Sequence, residues 1–109
     1  MNNQANKSIF TKIIEREIPS KIYFEDKDVI VIWDIDQSVR GHLLVIWKEP
    51  YINLKTMSKQ KVATFFAKAN EVALNFIKEQ NFDDYKLIIN NGEKAGQEVM
   101  HSHIHILPY

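Results

Sequence analysis

Apolar residues fall into two rhythms along this chain. From Ser58 to Gln80 they recur every three or four positions, at Val62, Phe65, Phe66, Ala69, Val72, Ala73, Phe76 and Ile77. That period predicts one long helix with a single apolar face, capped by Ser58. Elsewhere the apolar residues come in short runs. Val29–Trp33 is continuously apolar and predicts a central strand buried on both faces, and Gly41–Trp47 is another apolar run that predicts another central strand. "KIYF" and "VIVIW" flank the polar turn Glu25–Asp28, a hairpin signature. Tyr85–Ile89 and Val99–Leu107 predict two more strands. Near the N-terminus, Ser8 precedes Ile9, Ile13 and Ile14 at helical spacing, which predicts a short helix ending at Pro19. Strands before and after one long helix, with hairpin-type connections, predict an α+β fold built on an antiparallel sheet. Residues 1–8 read as a flexible arm and residues 9–109 as a single domain.

Composition narrows this little. Cysteine is absent, so disulfides and thiolate metal sites are excluded. Lys plus Arg equals Asp plus Glu at 14 each. A neutral chain is a poor non-specific polyanion binder, which argues against a nucleic-acid partner. No apolar run approaches the roughly 20 residues of a membrane span, and the N-terminus lacks a signal-type apolar stretch. A cytoplasmic protein is expected.

The last strand holds the candidate chemistry. His101, His103 and His105 alternate with Ser102, Ile104 and Ile106. In a strand, alternate side chains share a face, so the three imidazoles line one side at a spacing of roughly 6.6 Å. An exposed polar face would be served equally well by Thr, Lys or Glu. A metal site is a second reading, since two histidines at i and i+2 chelate one ion, with His42 or a carboxylate as a further ligand. The third reading is covalent chemistry on phosphorus. A neutral imidazole is a nucleophile with a pKa near working pH. The loop "NNGEKAGQEV" would then supply backbone N–H groups for an anion, its glycines allowing close approach.

"GQEVMHSHIHILPY" resembles the signature of the histidine triad (HIT) family, in which three histidines alternate with apolar residues. "IFTKIIEREIPSKIYFEDKDVIVIWDIDQ", "GHLLVIWKEP" and "LIINNGEKAGQEV" resemble the family's other blocks in the same order, over residues 9 to 107. The phosphoramidase branch is the nearest. The resemblance implies a half-barrel-like sheet of about five strands with a long helix packed on it. It also implies a homodimer with a continuous sheet. The activity implied is hydrolysis or transfer of purine nucleotides at the α-phosphate, through a nucleotidyl-histidine, with no metal required. Zinc held by histidines is the alternative. His103 matches the nucleophile, His101 and His105 the residues that flank the phosphate or orient it, and His42 a fourth supporting imidazole. Asp34 matches the ribose-binding acid. Ile9, Phe10, Ile13, Ile18 and Ile35 match the walls of the base pocket. Asn90, Gly96 and Gln97 match contacts to the phosphate or leaving group.

The chain departs from the family at several points. Ser102 replaces the first apolar residue of the triad, which predicts a less buried strand face. Glu98 stands where relatives carry a hydroxyl on the phosphate side, and would repel a phosphate unless it turns away. Trp47 and Pro50 replace a usual proline and a usual basic residue or histidine. The sequence stops at Tyr109, without the tail that shapes the leaving-group side in relatives, so that side is expected to be open. A nucleotide-binding module with little turnover is the rival function. A metal-dependent hydrolase using His101, His103 and His42 is another.

Overall fold

The structure, a computed structural model, describes residues 7–109. Most of the expected arm therefore lies outside the described residues, while Lys7 and Ser8 are placed beside the domain. Strands β1 (Ile22–Glu25), β2 (Val29–Trp33), β3 (Leu43–Trp47), β4 (Tyr85–Ile88) and β5 (His103–Pro108) form one sheet in the order β1-β2-β3-β5-β4. Every neighbouring pair is antiparallel. Helices α1 (Ile9–Ile14) and α2 (Lys59–Gln80) take opposite faces of it. The expected α+β fold is the observed one.

The apolar runs of β2 and β3 split by parity. Val29, Val31, Leu43, Val45 and Trp47 pack with Phe65, Ala69, Val72, Ala73 and Phe76 of α2. Ile30, Ile32, Leu44 and Ile46 point the other way and pack with Phe10 and Ile13 of α1. This is why the runs are continuous: a strand covered on both faces has no polar side. At the start of α2 the Ser58 hydroxyl accepts the Lys61 N–H. At its end Asn81 adopts the left-handed conformation and donates its N–H to Ile77. The hairpin turn is held by Asp26, whose carboxylate accepts the N–H groups of Asp28 and Val29.

Several local expectations are corrected. Helix α1 ends at Ile14, well before Pro19, because Arg16 turns the chain with φ 64°. Its buried side chains are Phe10 and Ile13, and Ile9 is instead 47% exposed. The final strand starts at His103 rather than Val99. Ahead of it the chain bends, with the His101 N–H donated back to Val99 O at 2.9 Å. His101 therefore does not extend the strand. Ser102 was expected on a less buried face and is only 1% exposed. Its N–H is donated to Tyr51 and its carbonyl accepts from Trp47, which ties the bend to the end of β3. Gly41 has φ 86°, and a Cβ there would lie 2.8 Å from the Pro108 ring. Only glycine lets the chain turn into β3 at this point.

Candidate active site

The register of β5 against β3 places two of the histidines. His105 lies across from Leu44 and His103 across from Ile46, on the face opposite α2. The β2–β3 ladder then runs one rung past the strands, with Asp34 N–H donated to His42 O at 2.9 Å. That rung brings Asp34 and His42 together at the end of the sheet beside His105. Gln37 closes the intervening loop, donating to the carbonyls of Asp34 and His42 and accepting the Gly41 N–H.

Hydrogen bonds assign the ring protons. His103 Nδ1 lies 2.7 Å from the His101 carbonyl. A carbonyl only accepts, so Nδ1 carries the proton and Nε2 keeps a free lone pair. His101 Nε2 lies 2.7 Å from the Trp47 carbonyl and is likewise protonated. His105 Nδ1 lies 2.9 Å from His42 Nε2, and His42 Nδ1 lies 3.5 Å from Asp34 Oδ2. With the Asp34 carboxylate as terminal acceptor, His42 carries its proton on Nδ1 and accepts the His105 proton on Nε2. The other Asp34 oxygen accepts the Asp36 N–H at 2.8 Å.

Burial is the main cause of depressed proton affinity at all three triad histidines. It holds His101 and His103 below the ordinary histidine value, against the carbonyl that each ring N–H meets. His105 is pushed down to about 4, by burial first and then by His103 and His42. All three are therefore neutral near pH 7, the state a nucleophilic imidazole needs. The rings lean together, with the centroids of His103 and His105 5.1 Å apart, less than the strand spacing. His101 stands apart from them. It is 1% exposed, and its Nδ1 lies 2.9 Å from Ser8 Oγ and 3.2 Å from Thr11 Oγ1. Both of its nitrogens are occupied, so it supports His103 through its carbonyl and does not reach a phosphate.

Two cavities meet here. One, of about 340 Å³, is lined by His42, His103, His105, Asp34, Asn90, Gly96 and Glu98. The other, of about 650 Å³, is lined by Ile9, Phe10, Ile13, Ile18, Ile32, Trp33, Ile35 and Leu44. Asp34, Phe10, Leu44 and Val99 border both. The five apolar residues matched to a base pocket are thus brought together. Ile35 is 99% exposed, an apolar side chain held in water at the rim.

The loop before the triad is only partly as expected. Gln97 does not line the cavity. It is buried, accepts from Asn53 and Gly92, and donates to the carbonyls of Ile52 and Val99. All four of its bonds hold loops together, which removes it from the contacts expected with phosphate or leaving group. The N–H groups of Gly92, Ala95, Gly96 and Gln97 are also used inside the loop. Those of Glu98 and Val99 donate to no backbone carbonyl among the described residues, and both residues line the cavity. The Glu98 side chain is exposed at its mouth. Asn90 has no positive φ and faces the cavity beside Gly96. Ser8 and Thr11 were missed as site residues, because no local pattern pairs them with a histidine 93 and 90 positions away.

Asp34, His42 and His105 have donor atoms within 4.8 Å of one another. In this structure the same groups are joined by hydrogen bonds, with His42 using one ring nitrogen for each neighbour. A catalytic zinc takes three protein ligands, so these residues could hold an ion as well as form a proton chain. His101 is closed to an ion by its two existing bonds, which breaks the ligand set His101, His103 and His42.

Comparison with known proteins agrees with this geometry. The model of the HIT domain matches residues 15–109. The chain belongs to the HIT family. A 13.1 kDa HIT-like protein of Mesomycoplasma hyorhinis is 40% identical to this HIT chain over 107 residues, covering 98% of it and 96% of the relative. The crystal structure of SMU.412c from Streptococcus mutans UA159 superposes on the HIT chain with a TM-score of 0.89 at 40% identity. That match covers 94% of this chain and 66% of the other. A HIT family hydrolase from Clostridium thermocellum matches with a TM-score of 0.84 at 37% identity, covering 94% and 90%.

Proposed function

We propose that this HIT protein hydrolyses or transfers purine nucleotide conjugates at the α-phosphate, through a nucleotidyl intermediate on His103. The observation that carries this reading is the His103 Nδ1–H bond to the His101 carbonyl, which leaves Nε2 unprotonated at a cavity joined to an apolar one. The base occupies the apolar cavity, against Phe10, Ile13, Ile18 and Ile35. The ribose hydroxyls meet Asp34 at the junction, where a carboxylate has lone pairs beyond those already engaged. The phosphate lies between His103 and His105, near Asn90, Gly96 and the N–H groups of Glu98 and Val99.

His103 Nε2 attacks the α-phosphorus. A nitrogen–phosphorus bond forms as the bond to the amine, acyl or phosphate leaving group breaks, and the leaving group takes its electron pair and a proton from solvent, which the hydrolysis step later returns. The imidazole becomes cationic, and its Nδ1–H bond to the His101 carbonyl stabilises that charge, as a fixed acceptor does for a catalytic imidazolium. Water then attacks phosphorus, the nitrogen–phosphorus bond breaks, and free imidazole and nucleotide monophosphate are released. Fixed dipoles around the phosphate stabilise its developing charge, and no metal is needed. Asp34, His42 and His105 form a hydrogen-bonded chain that orients His105 towards the phosphate.

We also propose a homodimer and a cytoplasmic location. Among the described residues the outer edge of β4 is unpaired, and Ile88 on that strand is exposed, which supports strand pairing with a second copy. Among the described residues, no helix is long and apolar enough to cross a membrane.

The test is mass spectrometry of the protein mixed with adenosine 5′-phosphoramidate or with a diadenosine polyphosphate, quenched without acid. The expected result is a nucleotidyl adduct on His103, with the faster substrate choosing the leaving group. No adduct and no AMP from either would reduce the protein to a nucleotide-binding module.

A further inference from the structure

Two hydroxyls of α1 and its cap meet the deepest histidine of the site. Ser8 Oγ lies 2.9 Å from His101 Nδ1, and Thr11 Oγ1 lies 3.2 Å from the same atom. The opposite nitrogen, Nε2, lies 2.7 Å from the Trp47 carbonyl and so holds the ring proton. Nδ1 is therefore a buried lone pair, and it requires a donor. Ser8 also accepts the Thr11 N–H at 3.0 Å as the N-cap of α1. A hydroxyl has one proton and two lone pairs, so it caps the helix and donates to His101 together.

We propose that Ser8 and Thr11 are positioning residues for the nucleophile. Their hydroxyl protons hold His101 as the neutral Nε2–H tautomer, and so fix the carbonyl that accepts the His103 Nδ1–H. The inference rests on His103 being the nucleophile. A ring anchored at both nitrogens cannot rotate, and its own carbonyl lies 2.7 Å from His103 Nδ1. Phe10, in the same helical turn, packs edge-on against His101 and His103, with ring centroids 6.1 and 4.9 Å away. The first turn of α1 therefore grips the nucleophile and its support, while Ile9 and Ile13 line the apolar cavity. His103 is the titratable neighbour whose charge bears on His101.

A plain capping role predicts something different, and Ser8→Asp separates the two. Aspartate caps a helix as well as serine does, but an ionised carboxylate only accepts. A carboxylate there would also draw the Thr11 hydroxyl proton to itself, since Ser8 Oγ and Thr11 Oγ1 are already 3.3 Å apart, so both His101 nitrogens would then face acceptors and the ring would take a second proton. Ser8→Thr keeps cap and donor. Ser8→Ala with Thr11→Val removes both donors. Long-range ¹H–¹⁵N NMR of the full chain at neutral pH should find His101 protonated on Nε2 alone in the wild type and in Ser8→Thr. In Ser8→Asp it should be protonated on both nitrogens. With adenosine 5′-phosphoramidate, Ser8→Asp and the double variant should lose about 10- to 100-fold in kcat with KM little changed, and Ser8→Thr should recover wild-type kcat. The melting temperature of Ser8→Asp should stay near that of the wild type. Wild-type kcat in Ser8→Asp, or an Nδ1–H tautomer of His101 in the wild type, overturns the proposal. If the wild-type protein turns over no nucleotide, the catalytic reading fails, and the tautomers still decide whether these hydroxyls set the state of His101.

Discussion

The two faces of the sheet come from the same strands and serve opposite ends. On one face, Val29, Val31, Leu43, Val45, Ile104 and Ile106 lie under the 22-residue helix α2 and are almost completely dry. On the other, the alternate residues Ile30, Ile32, Leu44 and Ile46 share their surface with His103 and His105 and are covered by the six-residue α1 together with Ile18 and Val99. The long helix leaves a cavity of about 560 Å³ at its border with β1, whereas the short one leaves two cavities that meet at Asp34, one of them lined by the histidines. The difference teaches that one strand can supply stability with its odd positions and chemistry with its even ones, or the reverse. β5 does this directly, with Ile104 and Ile106 turned to α2 and His103 and His105 turned to the cavity.

Substitutions of adjacent parity in β5 and α2 should therefore break different things. His103→Ala should abolish turnover by several orders of magnitude while leaving the melting curve nearly unchanged, since removing the proposed nucleophile would remove the proposed covalent path. Phe76→Ala should do the converse, lowering stability by about 3–5 kcal/mol through a cavity under α2, with KM and kcat of the remaining folded protein unaffected. Parallel denaturation and steady-state assays of the two variants would test the division. An inactive but folded Phe76→Ala, or a fully active His103→Ala, would erase it.

A smaller effect is expected where the two cavities meet. Asp34→Ala should raise KM for ribonucleotide conjugates by about 10-fold or more, since hydrogen bonds to a charged group are worth about 1.5–3 kcal/mol. The change in kcat should be smaller, and a 2′-deoxyribonucleotide conjugate should feel the loss less. An unchanged KM would leave Asp34 solely as the terminal acceptor of the His42–His105 chain.

Acid should act on the histidine face before the helix face. The folded protein holds His101, His103 and His105 below the ordinary histidine value, with His105 at about 4. In the unfolded chain they titrate near 6.5, as free histidines do. Between those values the unfolded chain binds more protons, so stability rises with pH across the window. It is complete above about 6.5 and declines as pH falls towards the folded values. The paired carboxylates of Glu25 and Asp26, held low by Lys48 with Arg16 and by Lys68, add to the loss only at more acid pH. Thermal melts from pH 7 to 4.5 should fall steadily, and His105→Asn should flatten the fall. A flat wild-type profile would refute the neutral triad.

The smallest effect concerns the seam between the faces. Ser102 Oγ is a buried hydroxyl without a partner among the described residues. Ser102→Ala should be neutral or stabilise by about 1 kcal/mol, because a buried polar group lacking a bond costs about 1–3 kcal/mol. A clear loss of stability would mean that the hydroxyl is satisfied in solution.

The α+β class, the two central strands, the hairpin at Glu25–Asp28 and the span of α2 were legible because each depends on repeat geometry. Side chains return to one face every 3.6 residues in a helix and every second residue in a strand, and the order of apolar and polar residues alone reports this. The same rule put His103 and His105 on one side. It failed at His101, because the bend at residues 99–102 is made by bonds to Tyr51, Trp47 and Val99, and no period records those. The family signature, not periodicity, misplaced Gln97 and Ser102, since burial and bond partners there come from loops distant in sequence. Matching of sequence blocks named the residues of the apolar cavity. Folding decided which of them share a wall, and set Ile35 at the rim in water rather than in the core. Asp34, His42 and His105 were each visible as chemistry. Only the rung that pairs Asp34 with His42, and the register of β5 on β3, made them a chain. Sequence by itself thus determined the elements and the inventory of reactive groups, because those follow from local geometry and residue type. Tertiary packing decided the proton on each imidazole, because a tautomer is set by whichever acceptor or donor the fold brings within about 3 Å of each nitrogen.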